Sequence, residues 1–340
     1  MITVYSDRHR LHHARAELND GDMMPAFERP ERADAVHARV LETGLGEVKE
    51  PEAFGYAPLR RIHTDRYLGF LRTAWQDWHA LHGDCDALPL AWPARGLRHV
   101  EPAHIDGRLG YYSFDAGTPI TAGTWAAASA AADIALTATR LVGDGERAAF
   151  ALCRPPGHHA GADYFGGYCY LNNAAIAAAS FLETGARRVA VLDIDYHHGN
   201  GTQELFYERS DVLFCSIHCD PRQEYPFFLG YGEETGRGDG AGCNLNLPLA
   251  PGSDWAAWSE ALSAAIDATR RYAPDALVVS LGVDTYERDP IAAFRLQTDD
   301  YHRIGERLAA LRLPTVFVLE GGYAVPEIGE NVVNVLQACG

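Results

Sequence analysis

From residue 123 onward, short apolar runs alternate with longer segments of helical spacing, and this alternation restricts the fold more than any other feature. The runs are AAFALC (148–153), VAVLDI (189–194), VLFCSI (212–217), ALVVSL (276–281) and TVFVLE (315–320). An alanine-rich segment, TWAAASAAADIALTATRLVGDG, opens the series. NNAAIAAASFLETG, DWAAWSEALSAAIDATRRY, DDYHRIGERLAAL and EIGENVVNVLQAC follow, lying between most of the runs and after the last. Strands that are apolar throughout, not at every second residue, belong to sheets covered on both faces. The expected fold class is therefore α/β, a single domain with a doubly wound, mostly parallel sheet of about eight strands. A chain of 340 residues can bury such a core, and it contains no internal repeat and no domain linker.

The first third is less regular. ITVY (2–5) reads as a strand, followed by a His-rich, charged segment to about Pro30. ERADAVHARVLETG (31–44) has helical spacing and a closing Gly, and 64–81 forms a second helical pattern. Residues 82–122 are rich in Gly, Pro, Trp and Tyr and show no period. Compact domains seldom carry so long an irregular stretch unused, so it is read as an insertion forming an interface or a lid.

Composition excludes some partners. A formal net charge of −17 repels nucleic acid and anionic lipid and attracts cations. The first residues lack the apolar stretch of a signal peptide or a membrane span. Seven cysteines occur without a CxxC pair, which argues against a disulfide framework or thiolate zinc cluster and for a reducing compartment, the cytoplasm.

Each strand is followed by reactive residues: RPPGHHA, DYHHGNG, HCDP, GVD and GGY. In open parallel sheets ligands sit beyond the carboxyl ends of the strands, so these five ends share one rim. Asp193, Asp195 and His197 are two apart and point the same way if their strand persists that far. Carboxylates and an imidazole crowded together call for a cation. Asp195 and His197, with Asp284 from the neighbouring GVD, make a three-ligand site with room for water. Such a site takes Zn, and also Mn, Co or Fe(II).

His158 and His159 follow a rigid Pro-Pro-Gly turn and suit acid–base work. Asp193 and Asn200 are candidates to orient one imidazole each; an Asn partner leaves its His more easily neutral. Tyr323, after the Gly321–Gly322 pair, is placed to hydrogen-bond a carbonyl oxygen as negative charge develops on it.

Together RPPGHHA, GGYCYLNN, DIDYHHGNGTQE, SIHCDP, SLGVDTYERDP and EGGY resemble the arginase–deacetylase superfamily over essentially the whole chain. Within it the chain is most similar to the bacterial acetylpolyamine amidohydrolases of the zinc-dependent, histone-deacetylase-like branch. The two-manganese pattern of arginases is not matched. The resemblance implies zinc on Asp195, His197 and Asp284, with His159 as general base and then acid. It makes His158, backed by Asp193, an electrostatic partner, and Tyr323 the residue that polarises the acetyl carbonyl. Gly167, Tyr168 and Tyr225 would line a narrow tunnel. Structural potassium is implied near Asp193, Asp195, His197, Ser216 and Ile217, and a second monovalent site near Phe206, Arg209 and Val212.

Asn200 stands where the histone-deacetylase branch commonly has Asp, which favours the polyamine branch. In that branch 82–122 matches the segment through which homodimers form and narrow the active-site mouth. Glu17 and Asp106 would then meet the distal ammonium of a small cationic acetylated amine. Two departures, Cys219 for a usual Gly and Tyr225 for a usual Phe, put the preferred chain length in question; Cys219 is read as a buried, inert thiol. The implied reaction is hydrolysis of an N-acetyl amide to acetate and a free amine. Rival readings are an acetyl-lysine deacetylase, a different amide hydrolase or a metal-dependent ureohydrolase (told apart by one metal against two), and a non-catalytic binder of the same fold.

Overall fold

A computed structural model describes residues 1–19 and 21–339. Eight strands form one sheet: β1 (Ile2–Val4), β4 (Val48–Lys49), β5 (Ala148–Ala151), β6 (Val189–Asp193), β7 (Val212–Cys219), β8 (Asn244–Leu249), β9 (Ala276–Leu281) and β10 (Thr315–Leu319). A separate antiparallel hairpin pairs β2 (Glu17–Asn19) with β3 (Asp22–Met24). The large sheet runs β4-β1-β5-β10-β9-β6-β7-β8, and every pairing in it is parallel. The expected parallel α/β sheet is present, and its five predicted core strands fall within two residues of their expected ends.

Side-chain alternation splits the core in two. Val189, Val191, Val278, Val316 and Val318 face one layer: α2 (Tyr56–Leu59), α3 (Asp65–His82), α4 (Ile105–Tyr112), α5 (Thr124–Gly143), α6 (Asn173–Glu183) and α7 (Asn200–Phe206). Ala190, Leu192, Val279, Phe317 and Leu319 face the other: α1 (Glu31–Thr43), α8 (Trp255–Tyr272), α9 (Thr298–Ala309) and α10 (Val325–Gln337). Both faces are covered, which is why the strands carry no polar period. Helix α1 ends where its sequence predicts, with Gly44 left-handed at φ 60°.

Two expectations change. The 82–122 stretch is not wholly irregular, because it contains α4. Two glycines mask that helix in the sequence; a Cβ on Gly110 would lie 1.6 Å from the Ala91 carbonyl oxygen, so close packing forbids a better helix former. Reciprocal backbone hydrogen bonds of 2.9 Å between Ala87 and Ile120 close the base of the stretch. Strand β8 carries Pro248, tolerated because it lies at the sheet edge. Finally β6 stops at Asp193, so Asp195 and His197 lie in the following turn and do not share a strand face with it.

Candidate active site

The carboxyl ends of β5, β10, β9 and β6, adjacent in the sheet, deliver the rim residues. Asp195, His197 and Asp284 converge, with one potential ligand atom from each lying within 4.8 Å of the others. His197 Nδ1 is 3.4 Å from Asp195 Oδ1 and 3.1 Å from Asp284 Oδ2. The backbone fixes both acids: Gly321 N–H donates to Asp195 Oδ2 at 2.8 Å, and Tyr196 N–H to Asp284 Oδ1 at 2.8 Å. Gly321 leaves space for this, since a Cβ there would come within 2.5 Å of both Asp195 Oδ2 and Asp284 Oδ2.

The charge of the triad fits a cation. All three side chains are buried. Burial disfavours a charged His197, yet Asp195 and Asp284 outweigh it and push its pKa up to about 10. Burial and the nearby Asp195 raise Asp284 to about 7. Without a metal the cluster therefore takes up protons, and a divalent ion would do the same neutralising work while sparing the imidazole lone pair. A second buried group, His158, Cys169 and Glu320, also converges. Its His158 is committed to Asp193, and one Glu320 oxygen accepts two backbone N–H groups.

Asp193 is not in the triad. Its Oδ2 accepts from His158 Nδ1 at 2.9 Å, and its Oδ1 from the Asp195 N–H at 3.1 Å. Burial opposes a charge on His158, but Asp193 and Asp195 overcome this and push its pKa up to about 10. Its neighbour behaves oppositely. His159 Nδ1 sits 2.6 Å from Asn200 Oδ1, at the start of α7. Burial first, then the charges of His158 and His197, hold its pKa well below the usual imidazole value. Asn200 Oδ1 can only accept, so Nδ1 of His159 carries the proton and Nε2 is free.

A cavity of about 380 Å³ opens onto these groups, lined among others by His159, Gly167, Tyr168, His197, Tyr225 and Tyr323. A Cβ on Gly167, at φ 53°, would meet His159 at 2.2 Å, so the wall abuts the imidazole only because this residue is glycine. Tyr225 packs edge-on to His159 with ring centroids 5.1 Å apart, and Tyr168 and Tyr323 rings lie 5.6 Å apart. Burial keeps the Tyr323 phenol well above its usual pKa, hence protonated.

Glu17, on β2, also lines the cavity and accepts from the Tyr168 hydroxyl at 2.9 Å. Asp106 does not line it; on α4 it pairs with His82 Nε2 at 2.7 Å. Gly322, at φ 128°, turns the chain into Tyr323. Ser216 is the register partner of Asp193, next to Ile217 on β7, and its hydroxyl bonds His218 Nδ1 at 2.8 Å. Phe206, Arg209 and Val212 cluster where α7 passes into β7, the Arg209 N–H donating to the Phe206 carbonyl at 2.9 Å. Cys219 is buried and its thiol is pushed up to about 11 by burial, as expected for an inert cysteine.

Sequence reasoning missed Asp115. It lies on the cavity wall, where its Oδ2 accepts from Gly167 N–H (2.5 Å) and from the Tyr225 hydroxyl (2.8 Å). Within the unpatterned 82–122 stretch nothing local distinguished it. Asp289, whose Oδ2 accepts the Tyr323 N–H at 2.7 Å, was likewise passed over, though it sits in the quoted TYERDP motif.

A model of the histone deacetylase domain matches residues 26–339. The chain belongs to the histone deacetylase family. It is 62% identical over 337 residues to acetylpolyamine amidohydrolase 2 of Pseudomonas aeruginosa, covering 99% of this chain and 98% of that one. It is 47% identical to the acetylpolyamine amidohydrolase of Mycoplana ramosa, over 99% of each chain. Among solved structures, that of acetylpolyamine aminohydrolase from Burkholderia pseudomallei superposes with a TM-score of 0.94 at 43% identity, covering 100% of this chain and 98% of that one. Membership of this family agrees with the resemblance drawn from the motifs.

Proposed function

We propose that the protein hydrolyses the acetyl amide of small acetylated amines of the polyamine and diamine type, releasing acetate and the free amine. One observation carries this reading: an aromatic-walled cavity reaches His197, which converges with Asp195 and Asp284, and is lined by His159, Tyr323 and, elsewhere on its wall, carboxylates. Asp195, His197 and Asp284 would hold a zinc ion, which when bound supplies Lewis-acid polarisation of the acetyl oxygen and lowers the pKa of water.

The chain's own residues do the rest. His159 Nε2, its other nitrogen donating to Asn200, takes the proton from the attacking water and then hands it to the departing nitrogen. His158, held as the imidazolium by Asp193, keeps His159 from being charged before the reaction. Tyr323 donates its phenolic hydrogen to the oxygen that gains negative charge. Gly167, Tyr168 and Tyr225 enclose a methylene chain and exclude water, and Glu17 and Asp115 meet a positive charge at its far end.

Finer assignments follow from the same reading. Potassium belongs structurally beside Asp193, Asp195, His197, Ser216 and Ile217, with a second monovalent ion near Phe206, Arg209 and Val212. The 82–122 stretch forms a homodimer interface, where Leu90 and Leu97 are 86% and 66% exposed. Asp106, which does not line its own cavity, then serves the cavity of the second copy. The protein works in the cytoplasm, apart from nucleic acid and membranes; among the described residues no helix is long and apolar enough to cross a membrane.

The decisive experiment is steady-state kinetics on a panel of acetylated diamines, polyamines and acetyl-lysine peptides, with zinc measured on the same preparation. Faster turnover of the small amines at one zinc per chain is expected. Equal or greater activity on acetyl-lysine peptides would reassign the substrate. Tyr323→Phe should keep zinc and lose about 10²–10³-fold in kcat; parent-like turnover would remove Tyr323 from the chemistry.

A further inference from the structure

Two loops must present their groups to one acetyl carbon at the same moment. Residues 154–159, after β5, bring His158 and His159, and residues 320–323, after the adjacent β10, bring Tyr323. A buried carboxylate outside the sheet joins them. Glu28 lies between β3 and α1 and is 2% exposed. Its Oε1 accepts from Arg154 Nε at 2.8 Å and from Arg32 Nη1 at 2.9 Å, and its Oε2 from Arg154 Nη2 at 3.0 Å.

Each arginine then grips one catalytic loop. Arg154 belongs to the histidine loop itself and also donates to the carbonyls of His9 (2.6 Å) and His12 (2.8 Å). Arg32 donates to the carbonyls of Gly322 (2.6 Å) and Glu320 (2.5 Å), and its guanidinium lies 4.5 Å from the Tyr323 ring centroid. A second link runs parallel to this one, since Glu320 Oε2 accepts the N–H groups of Gly157 (2.6 Å) and His158 (3.1 Å).

Stability alone does not explain such a cluster. Desolvating two guanidinium groups and one carboxylate often costs more than their attraction returns, so apolar packing would serve the fold equally well. What apolar packing cannot supply is direction: fork-shaped hydrogen bonds fix the distance and angle between two backbone turns. We infer that Glu28 is a positioning residue that, through Arg32 and Arg154, sets Tyr323 against His159. It touches neither substrate nor metal. The inference rests on the roles given above to Tyr323 and His159.

The test compares Glu28→Gln, Tyr323→Phe and the double variant, using N-acetylputrescine as substrate and measuring zinc content on each preparation. Glu28→Gln should keep zinc and KM while kcat falls about 10–100-fold, the scale of a misplaced catalytic group. The double variant should lose much less than the product of the two single losses, because both act on one arrangement. A folded, zinc-loaded Glu28→Gln enzyme with parent kcat, or strictly multiplicative losses, would overturn the inference. If Glu28→Gln does not fold, Arg154→Lys keeps the charge but gives up the two-pronged contact, and the same measurements apply. Parent-like kcat in Tyr323→Phe alone would instead defeat the functional reading, so the two failures are distinguishable.

Discussion

The floor and the mouth of the cavity are built by opposite means. The floor stands on four adjacent parallel strands, and backbone N–H groups pin its acids from behind. The mouth hangs on side-chain contacts among loops and the β2–β3 hairpin: Tyr168 to Glu17, and Tyr225 to Asp115. Register in the sheet sets where each strand ends, and so where the short loops that carry the floor residues begin. Mouth residues are set by a few exchangeable hydrogen bonds. The floor is thus suited to chemistry common to many substrates and the mouth to choosing among them.

Substitutions should divide along the same line, with floor variants losing metal or turnover and mouth variants losing binding. The largest effect is expected for Asp284→Ala, which removes one of two acids from the triad; metal per chain should fall towards zero and activity with it. Full zinc occupancy in that variant, by elemental analysis, would break the assignment of the floor.

Asn200→Asp should come next. His159 is held neutral by burial and by its charged neighbours, with an uncharged amide as partner. A carboxylate there favours the imidazolium, so the pKa of the base rises and the acid limb of kcat/KM in the zinc-loaded enzyme moves to higher pH by about one unit or more. An unmoved limb would assign that titration elsewhere.

At the mouth, Glu17→Gln should raise KM for a cationic acetylated amine about tenfold and leave kcat alone, as loss of one charged hydrogen bond does. Burial pushes Glu17 up to about 7, so in the parent enzyme it gains its charge as pH rises through neutrality. KM for the cation should therefore fall between pH 6 and pH 8, and Glu17→Gln should abolish that fall. An equal KM change with an uncharged acetyl amine would show that Glu17 shapes the wall without reading charge. The smallest effect on chemistry is expected for Leu97→Asp on the exposed 82–122 surface, which should shift a dimer towards monomer in sedimentation with kcat nearly unchanged. A parent-like sedimentation profile would move the interface elsewhere.

Local pattern sufficed for much of this. Apolar runs, the Gly44 cap and the residues after each strand were readable because strand and helix periods and turn residues act over a few positions. Hydrogen-bond needs alone named Asp193 and Asn200 as partners of the two imidazoles, the resemblance implied Asp193 for His158, and the structure pairs His158 with Asp193 and His159 with Asn200. The sequence by itself therefore determined the parallel α/β sheet and the set of reactive side chains along its rim.

The tertiary structure decided which of them meet. Asp195 and His197 lost the strand face they would have shared with Asp193 because β6 ends there, Asp106 left the cavity wall because α4 carries it to His82, and Asp115 joined that wall from an unpatterned stretch. Glu28 reached Arg154 across 126 positions. Such contacts depend on strand order and on the path of whole segments over the sheet, and a period read along the chain has no access to either.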